Sequence, residues 1–129
     1  MLHEAPCSIL FARAATGETD FPRAIVAGVD GSPEAAAAAE AAHDVGSRLR
    51  ADVRLLAARG GKQVDLEAAR ASGASLQIDD RHPLEALVAA LREVDLLVIG
   101  SRGLHGVRAL GSVSERVAHQ AACSILVVR

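Results

Sequence analysis

Apolar residues along this chain occur in short continuous runs that alternate with stretches of helical periodicity. Continuous runs, in contrast to strict alternation of apolar and polar residues, are typical of strands that a parallel sheet buries on both faces. Five such runs predict five strands, at residues 23–29, 52–58, 74–78, 96–99 and 124–128.

Four helices are predicted between these strands. The first begins after Ser32, a favourable N-cap, with Pro33 in the first helical position, and extends to about residue 50. A short helical pattern covers 64–71, an apolar stripe of Leu84, Leu87, Val88 and Leu91 follows Pro83, and the last helix covers 112–121. This alternation predicts a doubly wound α/β fold, a five-stranded parallel sheet with helices on both faces.

The first residues of the chain repeat its end. Residues 3–13 and 119–129 are identical at seven of eleven aligned positions, including a histidine, a Cys-Ser pair and a final arginine. One interpretation is a tandem repeat in which only the last strand of the first copy remains; the alternative is two strands that share an aliphatic pattern. The first interpretation divides the chain into a remnant strand with its linker, 1–22, and a domain, 23–129.

Composition and charge exclude several classes of function. The net charge is −2 with acids and bases interspersed, and the chain has no Trp or Tyr, so neither a basic stripe nor a stacking platform indicates nucleic-acid binding. The apolar runs are too short to span a membrane, and no signal peptide opens the chain, so we expect a cytoplasmic protein without membrane contact. Cys7 and Cys123 are too few for a disulfide framework or a metal set.

A glycine-rich stretch over residues 98–115 is the main candidate for a ligand site. The apolar run ends at Gly100. Three more glycines follow, at positions 103, 106 and 111, and a helix is predicted to begin near Ser112. Glycines allow backbone N–H groups to approach closely, and a helix N-terminus attracts phosphate. The alternative is purely structural, because Ser112 and Glu115 fit a capping box and glycines also form turns. The pattern fits neither a Walker loop nor the dinucleotide-binding fingerprint.

Four blocks of sequence resemble one known family. Residues 24–32, followed by an alanine-rich helix, are similar to the opening of the universal stress protein family, and 95–103, 111–117 and 123–128 are similar to its close. The resemblance covers residues 23–129. It implies a strand order of 3-2-1-4-5 for the five strands, and association of two domains through their last strands.

The resemblance also implies a set of nucleotide-binding residues. In ATP-binding members Gly-x-x-Gly is followed by nine residues and then by Gly-Ser/Thr. Here Gly100 and Gly103 match the first part, but only seven residues separate Gly103 from Gly111. The segment between Ala58 and Ala74 is shorter than is usual in the family, which implies a shallow base pocket. The implied ligand is ATP, or AMP or cyclic AMP, with Mg²⁺ possible through Asp30 and no other metal. The residues implied to bind it are Val29, Asp30, Ala58, Ile99, Gly100, Arg102, Gly103, Gly111, Ser112, Val113 and Ser114.

Within that set, Asp30 and Ala58 are assigned to the adenosine, and Gly100, Arg102 and Gly103 to the ribose and phosphates. The residues from Gly111 to Ser114 are assigned to the phosphates at the helix N-terminus. Asp30 has an alternative interpretation as a turn residue at the helix entry.

Three functions are compatible with these residues. The leading hypothesis is a stress-response regulatory protein that binds an adenine nucleotide, and the second is a family member that binds no nucleotide and acts through protein association. The third is a weak ATP or phosphate hydrolase, which is least supported, because neither a lysine nor paired carboxylates lie near the glycine loop and no catalytic residue can be named.

The N-terminal strand is expected to pair with the last strand. Antiparallel pairing would cover an open sheet edge, either within one chain or by exchange with a second copy, and the resemblance implies a homodimer through the last strand. In this register Cys7 lies beside the C-terminal end of the last strand, whereas Cys123 precedes its N-terminal end. No disulfide is therefore predicted between them. The residues concerned are Ser8, Ile9, Leu10, Phe11 and Ala12, with Ser124, Ile125, Leu126, Val127 and Val128.

Overall fold

The structure is a computed structural model and describes residues 8–12, 21–60, 63–100 and 123–128. Cys7 and the predicted helix over 112–121 lie outside these residues. The described elements are β1 (Ile9–Phe11), β2 (Ala24–Gly28), α1 (Pro33–Leu49), β3 (Asp52–Ala58), α2 (Glu67–Ala71), β4 (Ser75–Asp79), α3 (Pro83–Ala90), β5 (Leu96–Gly100) and β6 (Ser124–Val128).

The six strands form one sheet in the order β1-β6-β5-β2-β3-β4. From β6 to β4 all neighbours are parallel, and only β1 is antiparallel to its neighbour β6. The predicted fold is confirmed, both in the order of the five parallel strands and in the extra N-terminal strand at the edge. From β2 the chain adds β3 and β4 on one side and then returns to place β5 on the other side. The connections therefore diverge between β2 and β5.

An aliphatic core lies on each face of the sheet. On the first face, which we call the α1 layer, Ile25, Ala27, Leu55 and Val98 pack beneath α1. The opposite face, the α3 layer, holds residues of alternate parity along the same strands, and Leu87 and Leu91 of α3 are buried there as the apolar stripe predicts. Burial of both faces explains why the strand sequences are continuously apolar.

Helix α1 begins as its sequence predicts. The Ser32 hydroxyl accepts a hydrogen bond of 3.1 Å from the Ala35 N–H, and Pro33 occupies the first helical position. At the other end Arg50 adopts a left-handed conformation with φ of 56° and donates its N–H to the Gly46 carbonyl. This ending returns the chain at once to β3, so α1 lies directly against the strands that it connects.

Helix α2 is shorter than predicted. The pattern predicts a helix over 64–71, whereas the structure has Glu67–Ala71. Leu66 is 3% exposed and fills a core position without being helical, and the Asp65 carboxylate accepts a hydrogen bond of 3.1 Å from the Glu67 N–H. Among the described residues, none of the helices has the length and apolar character that a membrane crossing requires.

Candidate functional site

The carboxyl ends of β2, β3 and β5 meet at one edge of the sheet. Gly28 at the end of β2 is in register with Leu56 of β3, and Ala27 is in register with Val98 of β5. In open α/β sheets, ligands bind at this edge where neighbouring connections leave toward opposite faces. Here that position lies between β2 and β5, where Val29, Asp30, Ile99 and Gly100 are placed, and Ala58 lies one strand away at the end of β3.

Asp30 forms the turn that leads from β2 into α1. Its Oδ1 accepts hydrogen bonds from the Ser32 N–H at 2.9 Å and from the Ser32 hydroxyl at 2.5 Å. Ser32 in turn caps α1, so the helix-entry interpretation describes this oxygen correctly. The second carboxylate oxygen, Oδ2, accepts no hydrogen bond from the described part of the chain, and Asp30 is half-buried. This oxygen can therefore still accept a hydrogen bond from a ligand hydroxyl.

The apolar residues of the predicted site divide between the two faces of the sheet. Val29 is 5% exposed and packs in the α1 layer, with its N–H donated to the Leu56 carbonyl at 2.8 Å. Ala58 and Ile99 pack in the α3 layer and are almost fully buried. The backbone atoms of these residues share one edge, but their side chains do not line one pocket. Gly100 is buried at the end of β5, in register with Val128.

The remaining predicted binding residues lie outside the described part of the chain. They are Arg102, Gly103, Gly111, Ser112, Val113 and Ser114.

Two ion pairs continue the same edge beyond β3 and β4. Arg59 contacts Asp80 at 2.6 Å, and Arg81 contacts Asp79 at 2.6 Å. The backbone joins the two segments, because the Arg59 N–H donates to the Asp79 carbonyl at 2.8 Å. The pKa of Asp79 is lowered, chiefly by hydrogen bonds from the Arg81 guanidinium and to a smaller extent by the hydrogen bond from the Arg81 backbone N–H. In return, the Asp79 carboxylate raises the pKa of Arg81.

Sequence reasoning missed these charged residues. A signal was present, because Arg59 directly follows one predicted strand and Asp79 directly follows another. Residues in that position of parallel strands share the edge at which ligands bind.

A cavity of about 350 Å³ lies between α1 and α2, above β3. Alanines from both helices line it together with Val53 and Leu55 from β3, and Glu40 and His43 lie on the α1 side. Of the predicted binding residues that the structure describes, only Val29 lines it, so this cavity lies on the α1 layer and only borders the edge. The feature of the sequence that could have indicated this cavity is the brief segment between β3 and β4, because it leaves α2 with only five residues.

Metal ligands are not clustered in the described part of the chain: groups of three or more His, Cys, Asp or Glu side chains suited to an ion do not occur there. Cys123 is buried in the α3 layer. Since Cys7 lies outside the described residues, the absence of a Cys7–Cys123 disulfide stays a prediction.

Comparison with known proteins identifies a consistent set of relatives. A model of the universal stress protein family matches residues 58–129. A universal stress protein solved in complex with cAMP is 27% identical with a TM-score of 0.66, over 84% of this chain and 97% of that chain. The universal stress protein UspA from Lactobacillus plantarum is 22% identical with a TM-score of 0.69, over 83% of this chain and 97% of that one.

A longer relative matches the N-terminal residues as well. A universal stress protein from Archaeoglobus fulgidus is 24% identical with a TM-score of 0.74, and the match covers 99% of this chain but 51% of that one. This chain therefore spans about half the length of that relative.

Proposed function

The chain belongs to the universal stress protein family, and from this premise we propose that it binds an adenine nucleotide at the edge formed by β2, β3 and β5. The observation that carries the proposal is the meeting of these three strand ends where the neighbouring connections diverge. The relative that was solved with cAMP supports an adenine nucleotide as the ligand class. In this proposal the protein is a cytoplasmic regulatory protein of the stress response without strong catalytic activity.

Each part of the edge has a role in the proposal. The Oδ2 atom of Asp30 accepts a ribose hydroxyl, while the backbone of Val29 and Ala58 borders the base. Gly100 precedes the glycine-rich stretch whose backbone, with Arg102, is proposed to hold phosphate. The glycine, serine and valine residues of 111–114 would complete the phosphate site through N–H groups at the helix start that the sequence predicts. ATP, AMP and cyclic AMP all fit these roles, and Mg²⁺ would enter between Asp30 and the phosphates.

A thermal shift series with cyclic AMP, AMP and ATP, each with and without Mg²⁺, tests this proposal. A ligand at 100 times its Kd stabilises the folded protein by about 2.7 kcal/mol. We expect at least one adenine nucleotide to raise the melting temperature and GTP to raise it less. If none of them shifts the transition, nucleotide binding is refuted.

Asp30→Asn and Ser32→Ala separate a ligand contact from a turn residue. Both substitutions weaken the same turn, because the two side chains are hydrogen-bonded to each other. Only the first removes the carboxylate assigned to the ribose. We therefore expect Asp30→Asn to weaken nucleotide affinity severalfold or more and Ser32→Ala to lower stability with affinity retained. Equal losses of affinity in both variants would assign Asp30 a structural role alone.

The second candidate function is association with other proteins without a nucleotide. Two observations favour it: Oδ1 of Asp30 is already occupied by Ser32, and Ala58 and Ile99 are buried under α3 and not directed into an open pocket. A protein that passes the folding controls but responds to none of the nucleotides would support this function.

Assembly is the remaining part of the proposal. Residues 1–22 are interpreted as the last strand of a repeat with its linker and 23–129 as the universal stress protein domain. A homodimer through β6 would use the edge that β1 covers in this structure, so intrachain pairing and this dimer exclude each other.

A further inference from the structure

The cavity between α1 and α2, which we call the α1–α2 cavity, has aliphatic walls that the chain only partly covers. Ala39, Val53, Ala69 and Ala74 line it and pack against the core of the α1 layer, yet each is only half-buried. Atoms in a close-packed interior gain many small dispersion contacts, and side chains that face an open space lack part of them. A ligand with an apolar body would therefore gain contacts here that the described part of the chain does not make with itself.

Small side chains produce this space. Both α2 residues that line the cavity, Ala68 and Ala69, are alanines, and α1 contributes Ala35, Ala36 and Ala39. Methyl groups reach only a short way from each helix, so the two walls do not meet. An apolar cavity of about 150 Å³ holds a benzene ring, so a volume of about 350 Å³ holds an apolar body of roughly ten to fourteen non-hydrogen atoms.

Charged side chains at the cavity select the class of ligand. Glu40 and His43 lie about one turn apart on α1, and Asp65 precedes α2. With histidine neutral at pH 7, the described residues that line the cavity include two carboxylates and neither lysine nor arginine, so the lining is negatively charged. Glu40 is exposed and has no hydrogen-bond or ion-pair partner in the described part of the chain, so its carboxylate can pair with a cation.

From this shape and charge we propose that the α1–α2 cavity binds an amphipathic amine, a ligand with one ammonium group on an aromatic or aliphatic body. The body lies on Val53 and on the alanines of both helices, and the ammonium group pairs with Glu40. The negative lining disfavours phosphate, and Asp30, Ala58 and Gly100 do not line the cavity, so this site is separate from the proposed nucleotide site. The inference does not depend on nucleotide binding.

Three probes that share a phenylbutyl body test the proposal in the full chain: phenylbutylamine, phenylbutanol and phenylbutyrate. Titration at pH 8, where the amine keeps its charge, is followed in ¹H–¹⁵N correlation spectra. The amine should bind with a Kd of about 1 mM or lower, which a ligand of about eleven non-hydrogen atoms can reach. The alcohol should bind severalfold more weakly and the butyrate most weakly. The largest amide shifts are expected at Ala39, Val53 and Ala69.

Glu40→Gln tests the charge, and Ala69→Leu tests the volume. Glu40→Gln should weaken binding of the amine severalfold and leave the alcohol unchanged, whereas Glu67→Gln, exposed on α2 and outside the lining, should change neither. Ala69→Leu places a larger side chain in the cavity and should abolish measurable binding of all three probes. Ala71→Leu is the matched control, because Ala71 is exposed on the same helix and outside the lining. Ala39→Leu fills the cavity from α1 and provides the same test if Ala69→Leu does not fold.

Competition with AMP distinguishes this site from the proposed nucleotide site. An excess of AMP should not displace the amine, whether or not AMP itself binds at the edge formed by β2, β3 and β5. The proposal is overturned if the amine does not bind, if the butyrate binds as tightly as the amine, if Ala71→Leu blocks binding as Ala69→Leu does, or if AMP displaces the amine. A chain that binds the amine but not AMP would support this proposal and count against nucleotide binding.

Discussion

Asp95 accepts a hydrogen bond of 2.8 Å at its carboxylate from the backbone N–H of Ala24. The other carboxylate oxygen accepts the N–H of Arg23 at 2.8 Å, and the Asp95 backbone bonds to Ala24 and to Ser124. Asp95, which directly precedes β5, thus joins β5 to β2 and to β6 at the amino edge of the sheet. The relative placement of β2 and β5 at the opposite edge, where the nucleotide is proposed to bind, depends on this register.

Replacing Asp95 by alanine should therefore lower the free energy of unfolding by about 1–3 kcal/mol, because two backbone N–H groups lose their acceptor. Urea denaturation measures the change. Asp52→Ala is the control, since Asp52 begins β3 at the same edge with an exposed side chain, and it should cost less than about 0.5 kcal/mol. Equal losses in the two variants would mean that charge, and not the hydrogen bonds, explains the effect.

Two features require glycine at position 31: its left-handed backbone conformation and the close approach of Asp65. The φ of Gly31 is +84°, and a Cβ at this position would lie 2.7 Å from the Asp65 carbonyl oxygen. Gly31→Ala is expected to destabilise the fold by about 2–3 kcal/mol through strain and displacement of the 63–66 segment. Gly73→Ala is matched to it, because Gly73 has φ of +76° with open space around it, and should cost about 1 kcal/mol. Thermal and urea unfolding compare the two, and equal costs would exclude the contact with Asp65.

Gly46 sets the distance between α1 and β3. A Cβ on Gly46 would overlap Cγ2 of Val53. In an exposed helix Gly→Ala stabilises by about 1 kcal/mol, but here we expect Gly46→Ala to destabilise by about 1–3 kcal/mol because the helix must move. In a Val53→Ala background the same substitution should become neutral or stabilising. A double-mutant cycle in urea gives the coupling energy, and a coupling near zero would show that the two side chains do not compete for space.

Much of the fold could be predicted because its determinants are local. The predicted limits of β3, 52–58, are those of the structure, since an apolar run ends at Arg59, and the cap at Ser32 sets the start of α1. The β1–β6 pairing could also be predicted, because the sequence repeat marked the two strands as equivalent. Helix α2 shows the limit of this reasoning: apolar spacing reports burial, and Leu66 is buried without being helical.

Less of the candidate site could be predicted. The resemblance selects Val29, Ala58 and Ile99 by position, but side-chain direction follows strand parity, which sends Val29 to one layer and the other two to the opposite layer. The cavity beside α1 depends on how far α2 lies from α1, which no local pattern specifies. The partner of Arg59, Asp80, likewise depends on the pairing of β3 with β4, so spacing along the chain does not identify it, whereas Arg81 pairs locally with Asp79 two residues before it.

The ion pair between Asp79 and Arg81 should make stability depend on pH. Arg81 lowers the pKa of Asp79 in the folded protein below its ordinary value of 3.8. A lowered folded pKa adds stability that is present above the unfolded pKa and is lost as the pH falls through the folded pKa. The wild type should therefore be more stable than Arg81→Ala near pH 6, and the two should converge as the pH falls below about 4. Urea unfolding between pH 6 and pH 2.5 measures this difference. Arg48→Ala, which removes the more exposed Arg48–Asp44 pair, is the control and should differ less from the wild type in free energy of unfolding at pH 6. If the difference between the wild type and Arg81→Ala stays constant with pH, the linkage is contradicted.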